Sequence, residues 1–479
     1  MEFKERENLI NFLENTEQKY PVEDWKVEDV EIWPIIKTTI FFSTYNQGKI
    51  ESKNLKSKII SFFRLFKLDV VYSYFCLKRA KIMEIKYMFS GFFGHRVMWD
   101  GVFYNRYFDP IMDSIEDNEG QRSSIFEYDK KRKIKHYRED RVFDVTKFIH
   151  YFNFITKGTI VDYDKFQGFD GLLKELEQGM QINPTKLLTK ISSELNNAFV
   201  WKKLWLYVLD RNKASHVFVL CYYNSKMYGL LLAAKEKGLV SVDMQHGGQG
   251  GFHVAYNFKK IPLKGYKLVP DYFWNWDKNS ADNILKFTRE TPHKVIVGGN
   301  PWIDFLKNQK VFLVEKEIII YTLQTTLVPV LHDYIIEAIK KTPQNFSWWL
   351  RLHPRMTENE ITELYNTLTK ENIIDKVEIK KASKIPLPLI LANCVVHVSH
   401  FSGSILEANL MNVKANIILG EIGKKYFQDI LNIGGALYYD VSDKMDLYQF
   451  IENCIEDSKN KKENVVDEVN YKSAIQLLH

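Results

Sequence analysis

From Ser215 onward the sequence alternates short apolar runs with amphipathic stretches, and this alternation limits the possible folds more than any other feature. HVFVLCYY is a continuous apolar run of strand length, NSKMYGLLLAAKEKG has helical spacing and a terminal glycine, and LVSVDM is a second short strand. Together they predict a β-α-β unit. After TRETPHK the pattern resumes, with KVIVGG, EIIIYT, SWWLRL, KVEIKK, CVVHVS and NIILGE as strands separated by helical stretches. Such an order predicts an α/β chain with a doubly wound parallel sheet. Runs such as Glu317–Tyr321 show no period-two pattern, as expected of strands buried on both faces. The first 200 residues are rich in aromatics and long polar side chains and poor in glycine, and they read as mainly helical.

A chain of 479 residues is too long for one ordinary core, so two large lobes are expected. Hydrophobic residues at 45% and charged residues at 26% exclude a largely disordered chain. Cys76, Cys221, Cys394 and Cys454 have no CxxC spacing, which argues against a disulfide framework or a structural zinc site and for a reducing compartment. The first twenty residues lack the features of a signal peptide. Ile59–Leu77, the most apolar long window, contains Arg64, Lys67 and Asp69, too many charges for a membrane span. A cytoplasmic protein is expected.

Net charge is +6, but Lys53–Lys86 holds nine Lys or Arg against two acids, interleaved with aromatics. Two readings follow: a peripheral contact with the inner face of a membrane, or a core-facing helix pair with a solvated basic side. Lys130–Arg138 reads as a solvated basic loop. Neither run accompanies a nucleic-acid recognition motif, so no nucleic-acid partner is expected.

In a doubly wound sheet, ligands bind beyond the carboxyl ends of the strands. There the sequence places Gln245-His246-Gly247-Gly248 after LVSVDM, Leu323-Gln324-Thr325-Thr326 after EIIIYT, His353-Pro354-Arg355 after SWWLRL, and His400-Phe401-Ser402-Gly403-Ser404 after CVVHVS. Ser402-Gly403-Ser404 opens the helix ILEANLMN, where hydroxyls and free N–H groups suit a phosphate or serve as a plain N-cap. Glu407 in its first turn accepts ribose hydroxyls or complements the helix dipole. Pro354 holds His353 extended at the strand rim, with Arg351 and Arg355 beside it to offset phosphate charge.

The order VGGNPWIDF, EIIIYTLQTT, LRLHPR, VSHFSGSILEANLMNVKANIILGE resembles the C-terminal domain of bacterial GT-B transferases of surface-polysaccharide assembly. These include capsule Kdo transferases, sialyltransferases with an HP and a later serine motif, and CDP-glycerol glycerophosphotransferases. The resemblance covers about residues 215–440. It implies two Rossmann-like domains facing across a cleft. Residues 1–305 would bind the acceptor, with a helix-rich start and Rossmann-like character from about 215. Residues 306–479 would bind the nucleotide sugar, with a last helix crossing back.

By the same likeness His353 and Pro354 contact the nucleotide, Ser402 and Ser404 hold its phosphate, and Glu407 takes the place of a ribose-binding glutamate. Arg351, Arg355, Gly403 and Thr325 complete the expected nucleotide site. Gln245-His246-Gly247-Gly248 looks like the Trp-His-Gly loop of the glycerophosphotransferases, whose histidine is a base. Gln stands here in place of Trp, which leaves the donor class open. An imidazole near its ordinary pKa suits proton abstraction from an acceptor hydroxyl, and the glycines let backbone approach a substrate. The other reading of His246 is a structural turn histidine, with Asp100 or Asp109 then next in line as base.

Cys394, His397 and His400 have metal-like spacing, but on a strand His397 faces away from the other two. Asp162-Tyr163-Asp164 matches a DxD too short to be specific. No GxxxxGK loop or GxGxxG is present. The expected activity is metal-independent transfer, without a cofactor, from a nucleotide-sugar donor to a glycan or lipid-linked glycan. A CMP-activated acidic sugar is the first choice, and a CDP-alditol or UDP-sugar donor stays open. The rivals are a UDP-sugar 2-epimerase of the same fold and a non-catalytic glycan- or partner-binding protein at a membrane.

Overall fold

The computed structural model describes residues 3–45, 68–80, 84–119, 122–129, 134–307, 309, 315–325, 327–442, 445–459 and 471–478. The chain divides into two units, Met1–Pro301 with Val469–His479, and Trp302–Glu468. The sequence had suggested a boundary after 305.

The first unit is built on seven parallel strands: β1 Tyr87–Gly91, β2 Ser123–Glu127, β3 Val142–Asp144, β4 His216–Val219, β5 Val240–Met244, β6 Tyr272–Asn275 and β7 Lys294–Val297, in spatial order β7-β6-β5-β4-β1-β2-β3. The predicted β-α-β unit is present as β4, the helix α1 Ser225–Glu236 and β5. Asn224 caps α1 by accepting from the N–H groups of Lys226 and Met227 at 3.1 and 3.2 Å. The helix crosses the 29-residue helix Pro184–Asn212 at Gly229, where a Cβ would lie 2.8 Å from the Ala198 carbonyl oxygen. Only glycine permits that approach.

The first 200 residues are helix-rich, as expected, but not exclusively so. Helices dominate there, but β1, β2 and β3 also belong to this stretch, so the sheet begins at Tyr87 rather than near 215. β6 was likewise missed. Chain segments from both ends complete the unit: the helix Tyr471–Gln476 is part of it, and the Leu478 carbonyl oxygen lies 3.0 Å from His216 Nε2. Deep in the unit, Lys37 Nζ meets Glu17 Oε1 at 2.6 Å, and Trp33 Nε1 donates to the same oxygen at 2.8 Å. Both charged side chains are almost wholly buried.

The second unit carries six parallel strands, β8 Glu317–Thr322, β9 Phe346–Arg351, β10 Val377–Glu378, β11 Cys394–Ser399, β12 Ala415–Leu419 and β13 Leu437–Tyr439, in the order β10-β9-β8-β11-β12-β13. Ile318, Ile320, Val396, Val398, Ile417 and Ile418 are fully buried, which accounts for their unbroken apolar runs. Both units therefore have helices around a parallel sheet, as the alternating sequence predicts. Among the described residues, no helix is long and apolar enough to cross a membrane.

Candidate functional site

The spatial order of the second sheet brings its strand-end loops together. β8 lies between β9 and β11, so the segment with Gln324 and Thr325 is flanked by the loop of His353 on one side and that of Ser402 on the other. His353 is half-buried, and its Nδ1 accepts from the Arg355 N–H at 3.2 Å. Burial, followed by the Arg355 charge, lowers its pKa. Pro354, Arg355 and Gly403 are exposed, and Thr325, Ser402 and Glu407 are partly so.

Two expected phosphate ligands are engaged elsewhere. Ser404 is buried, and its hydroxyl lies 2.8 Å from Thr322 Oγ1, which also donates to Ser399 Oγ at 2.8 Å and lies 3.1 Å from His397 Nε2. The Ser404 hydroxyl thus points into the sheet, and Ser402, whose Oγ accepts from the Ser404 N–H at 3.3 Å, is the serine left at the surface. Arg351 Nη1 donates to the carbonyls of Ala382 and Ile385 at 2.5 and 2.7 Å and so ties the following segment to the strand end. His397 bonds Asn416 Oδ1 at 2.7 Å inside the sheet, while His400 lies beside Tyr334 at 3.4 Å. Gly423 lets its helix pass over His400, since a Cβ there would collide with the His400 carbonyl oxygen at 1.9 Å.

The sequence places Gln324 at a strand end without giving it a role of its own. It is 6% exposed, and its Nε2 has no hydrogen-bond partner. Leu323 N–H continues the pairing to the Arg351 carbonyl, so the chain is still extended here. Gln324 therefore shares the face of Thr322, the face that meets Ser404. A buried unpaired donor is rare in native structures and calls for an explanation.

In the first unit, His246 follows β5. Gln245 is fully buried: its Oε1 accepts from the Trp276 N–H at 2.7 Å, and its Nε2 donates to the Gly247 carbonyl and Ser280 Oγ, both at 3.0 Å. It shapes the turn rather than facing a substrate. A Cβ at Gly247 would meet nothing within 4 Å, so the loop is open on that side; Gly248 is partly exposed. His246 Nε2 lies 3.2 Å from Cys221 Sγ and 3.3 Å from the Tyr223 hydroxyl. Both neighbours line a cavity of about 650 Å³ walled by Phe42, Phe92, Tyr128 and Tyr228, with Lys190 and Glu194 also on its surface.

The imidazole does not keep its ordinary pKa. Burial, aided by the Arg106 charge, pushes it down to about 4, and burial pushes the Cys221 thiol up to about 12. A neutral imidazole therefore faces a protonated thiol at neutral pH. Were His246 to act as a base, protonation would disable it, and the acid limb of kcat/KM would fall near pH 4, not near 6.5. A pH–rate profile tests this; a limb at 6.5 would mean a solvated ring or a different base. Asp100 lies exposed in a hairpin turn, whereas Asp109 is buried 3.7 Å from Arg96 Nη1 and its pKa is raised by burial to about 7. Neither lines the cavity, and His246 itself meets it only through Cys221 and Tyr223. Asp162 pairs with Lys165 at 3.1 Å in an exposed turn.

No family model and no curated protein matches the chain. Solved structures do. A Listeria monocytogenes protein assigned as a UDP-N-acetylglucosamine 2-epimerase aligns over 82% of this chain and 95% of its own, with 13% identity and a TM-score of 0.52. The chain has the GT-B fold. The UDP-GlcNAc 2-epimerase of Neisseria meningitidis, bound to UDP-GlcNAc, aligns over 83% of this chain and 99% of its own at 14% identity and a TM-score of 0.48. HepE of Anabaena, in complex with UDP and glucose, aligns over 82% and 95% at 12% identity and a TM-score of 0.39.

Proposed function

We propose that this chain is a glycosyltransferase that binds a nucleotide sugar on its second unit and a glycan acceptor on its first. The observation that carries this reading is the cavity beside His246. A transferase needs an acceptor site next to a base, and aromatic walls with a few charged groups suit the apolar faces and hydroxyls of a sugar. An epimerase needs no such second site. His246 takes the acceptor proton, and a metal is not required.

The nucleotide lies at the ends of β8, β9 and β11, against His353, Pro354, Thr325, Gln324 and Ser402, with Arg355 and Glu407 at the margin and Gly403 leaving room beside them. Ser404 and Arg351 act from behind, by holding the two loops in place. The HP and serine motifs favour a CMP-activated acidic sugar as donor, with a CDP-alditol or a UDP-sugar as the alternatives.

The deciding experiment incubates the protein with CMP-, CDP-, UDP- and GDP-sugars and follows free nucleotide and sugar products by mass spectrometry. Nucleotide release that depends on an added glycan supports the transferase. A 2-epimerised nucleotide sugar formed without acceptor would replace it with the epimerase reading. On the binding side, Gln324→Met should weaken nucleotide affinity roughly tenfold or more, the effect of one hydrogen bond to a charged group. Its melting temperature should hold or rise, because the unpaired amide is gone. Calorimetric titration with CMP and UDP checks both halves. A destabilised variant with unchanged affinity would mark Gln324 as structural.

A further inference from the structure

The helix α2, taken here as Leu68–Lys78, carries its apolar stripe on the outside. Leu68, Val71, Tyr72 and Phe75 occupy positions i, i+3, i+4 and i+7 and are 48–56% exposed, while the opposite positions Ser73 and Leu77 are buried. The helix also faces the core, through Leu77 and Cys76, but the side turned outward is apolar rather than basic. Residues 53–67 and 81–83 of the basic stretch lie outside the described residues. α2 packs on the helix Ile149–Ile155, where Ser73 Oγ accepts from the Tyr151 N–H at 3.1 Å and the rings of Tyr74 and Tyr151 lie 5.5 Å apart. That second helix exposes Phe154 and Ile155, at 56% and 43%.

Exposed apolar side chains scattered singly are ordinary, but a cluster of this kind on two packed helices marks a contact surface. Its charge identifies the partner. Residues 68–80 and 146–157 hold Lys78, Arg79, Lys147 and Lys157 against one acid, Asp69, which is paired with His150 at 3.2 Å. An interfacial helix combines an aromatic and aliphatic face with flanking cations, and the cations favour an anionic bilayer over a neutral one.

We propose that this helix pair seats the first unit on the surface of an anionic lipid bilayer, with Leu68, Val71, Tyr72 and Phe75 in the headgroup–acyl boundary. The contact is independent of the proposed activity.

Flotation of the full chain with vesicles tests it. The protein should float with mixed phosphatidylglycerol–phosphatidylcholine vesicles, float less in about 0.5 M NaCl, and float poorly with pure phosphatidylcholine. The triple variant L68S/V71S/F75S should lose vesicle binding by roughly tenfold or more while keeping its melting temperature, because the three side chains are exposed. Absence of flotation by the native chain overturns the proposal. So does undiminished binding by the triple variant, which would assign the contact to charge alone. So, too, does a dimer by analytical ultracentrifugation that the variant dissolves, which would make a second copy the partner.

Discussion

Alanine in place of His246 is expected to lower turnover by roughly 10²- to 10⁴-fold, the usual contribution of a positioned acid or base, while nucleotide affinity stays nearly unchanged. The separation follows from location. His246 is in the first unit, next to the cavity through Cys221 and Tyr223, whereas the proposed nucleotide contacts belong to the second. His353→Ala should do the reverse, weakening nucleotide binding first. Steady-state kinetics and calorimetry on the same two variants test the division. Near-normal turnover in His246→Ala would place the base elsewhere, and loss of stability alone would leave the imidazole as a support for its loop.

A comparably large effect, on stability, is expected from Glu17→Ala. Its carboxylate bonds Lys37 and Trp33 in the interior, and Lys37 also donates to the Asn257 carbonyl and lies 4.2 Å from the centre of the Phe258 ring. Burial draws the Lys37 pKa down, against the opposing pull of Glu17. Removing one partner leaves a buried charge without its counterion, which costs about 3–5 kcal/mol. Adding Lys37→Met should restore much of that loss, because an apolar side chain of similar size tolerates the interior better than an unpaired ammonium. Urea titrations of the single and double variants measure the difference; a single variant within about 0.5 kcal/mol of the native chain, the range of ordinary surface substitutions, would show that water or another group already compensates.

The parts of the fold legible in the sequence are those whose strands are apolar throughout. EIIIYT and CVVHVS coincide with Glu317–Thr322 and Cys394–Ser399 because both faces of those strands are covered. β1 and β2 were illegible for the opposite reason. They bury Ser90, Ser123, Ser124 and Glu127, whose polar groups are acceptable only through distant partners: Ser90 Oγ donates to the Phe126 carbonyl, and Arg96 donates to Glu127 at 2.6 Å. A local pattern contains no such information.

The candidate site divides in the same way. Strand-end position was readable for His246, His353 and Ser402, because it depends on where an apolar run stops. The direction of a side chain was not. Ser404 turns inward because Thr322 waits for it 82 residues upstream, and Arg351 is taken up by carbonyls 31 and 34 residues downstream. Burial of the His246 ring, and with it the lowered pKa, likewise comes from neighbours that the sequence does not place beside it.

The return of the chain's last helix to the first unit sets an order for biogenesis. Residues 302–468 form an uninterrupted segment that can become compact as it leaves the ribosome. The first unit begins earlier yet finishes later, since Ala474, Ile475 and Leu478 are buried in it and the Leu478 carbonyl meets His216 at the start of β4. During synthesis the older lobe is therefore completed only after the younger one has been made, and the apolar surface that receives Ala474, Ile475 and Leu478 stays uncovered in the interval.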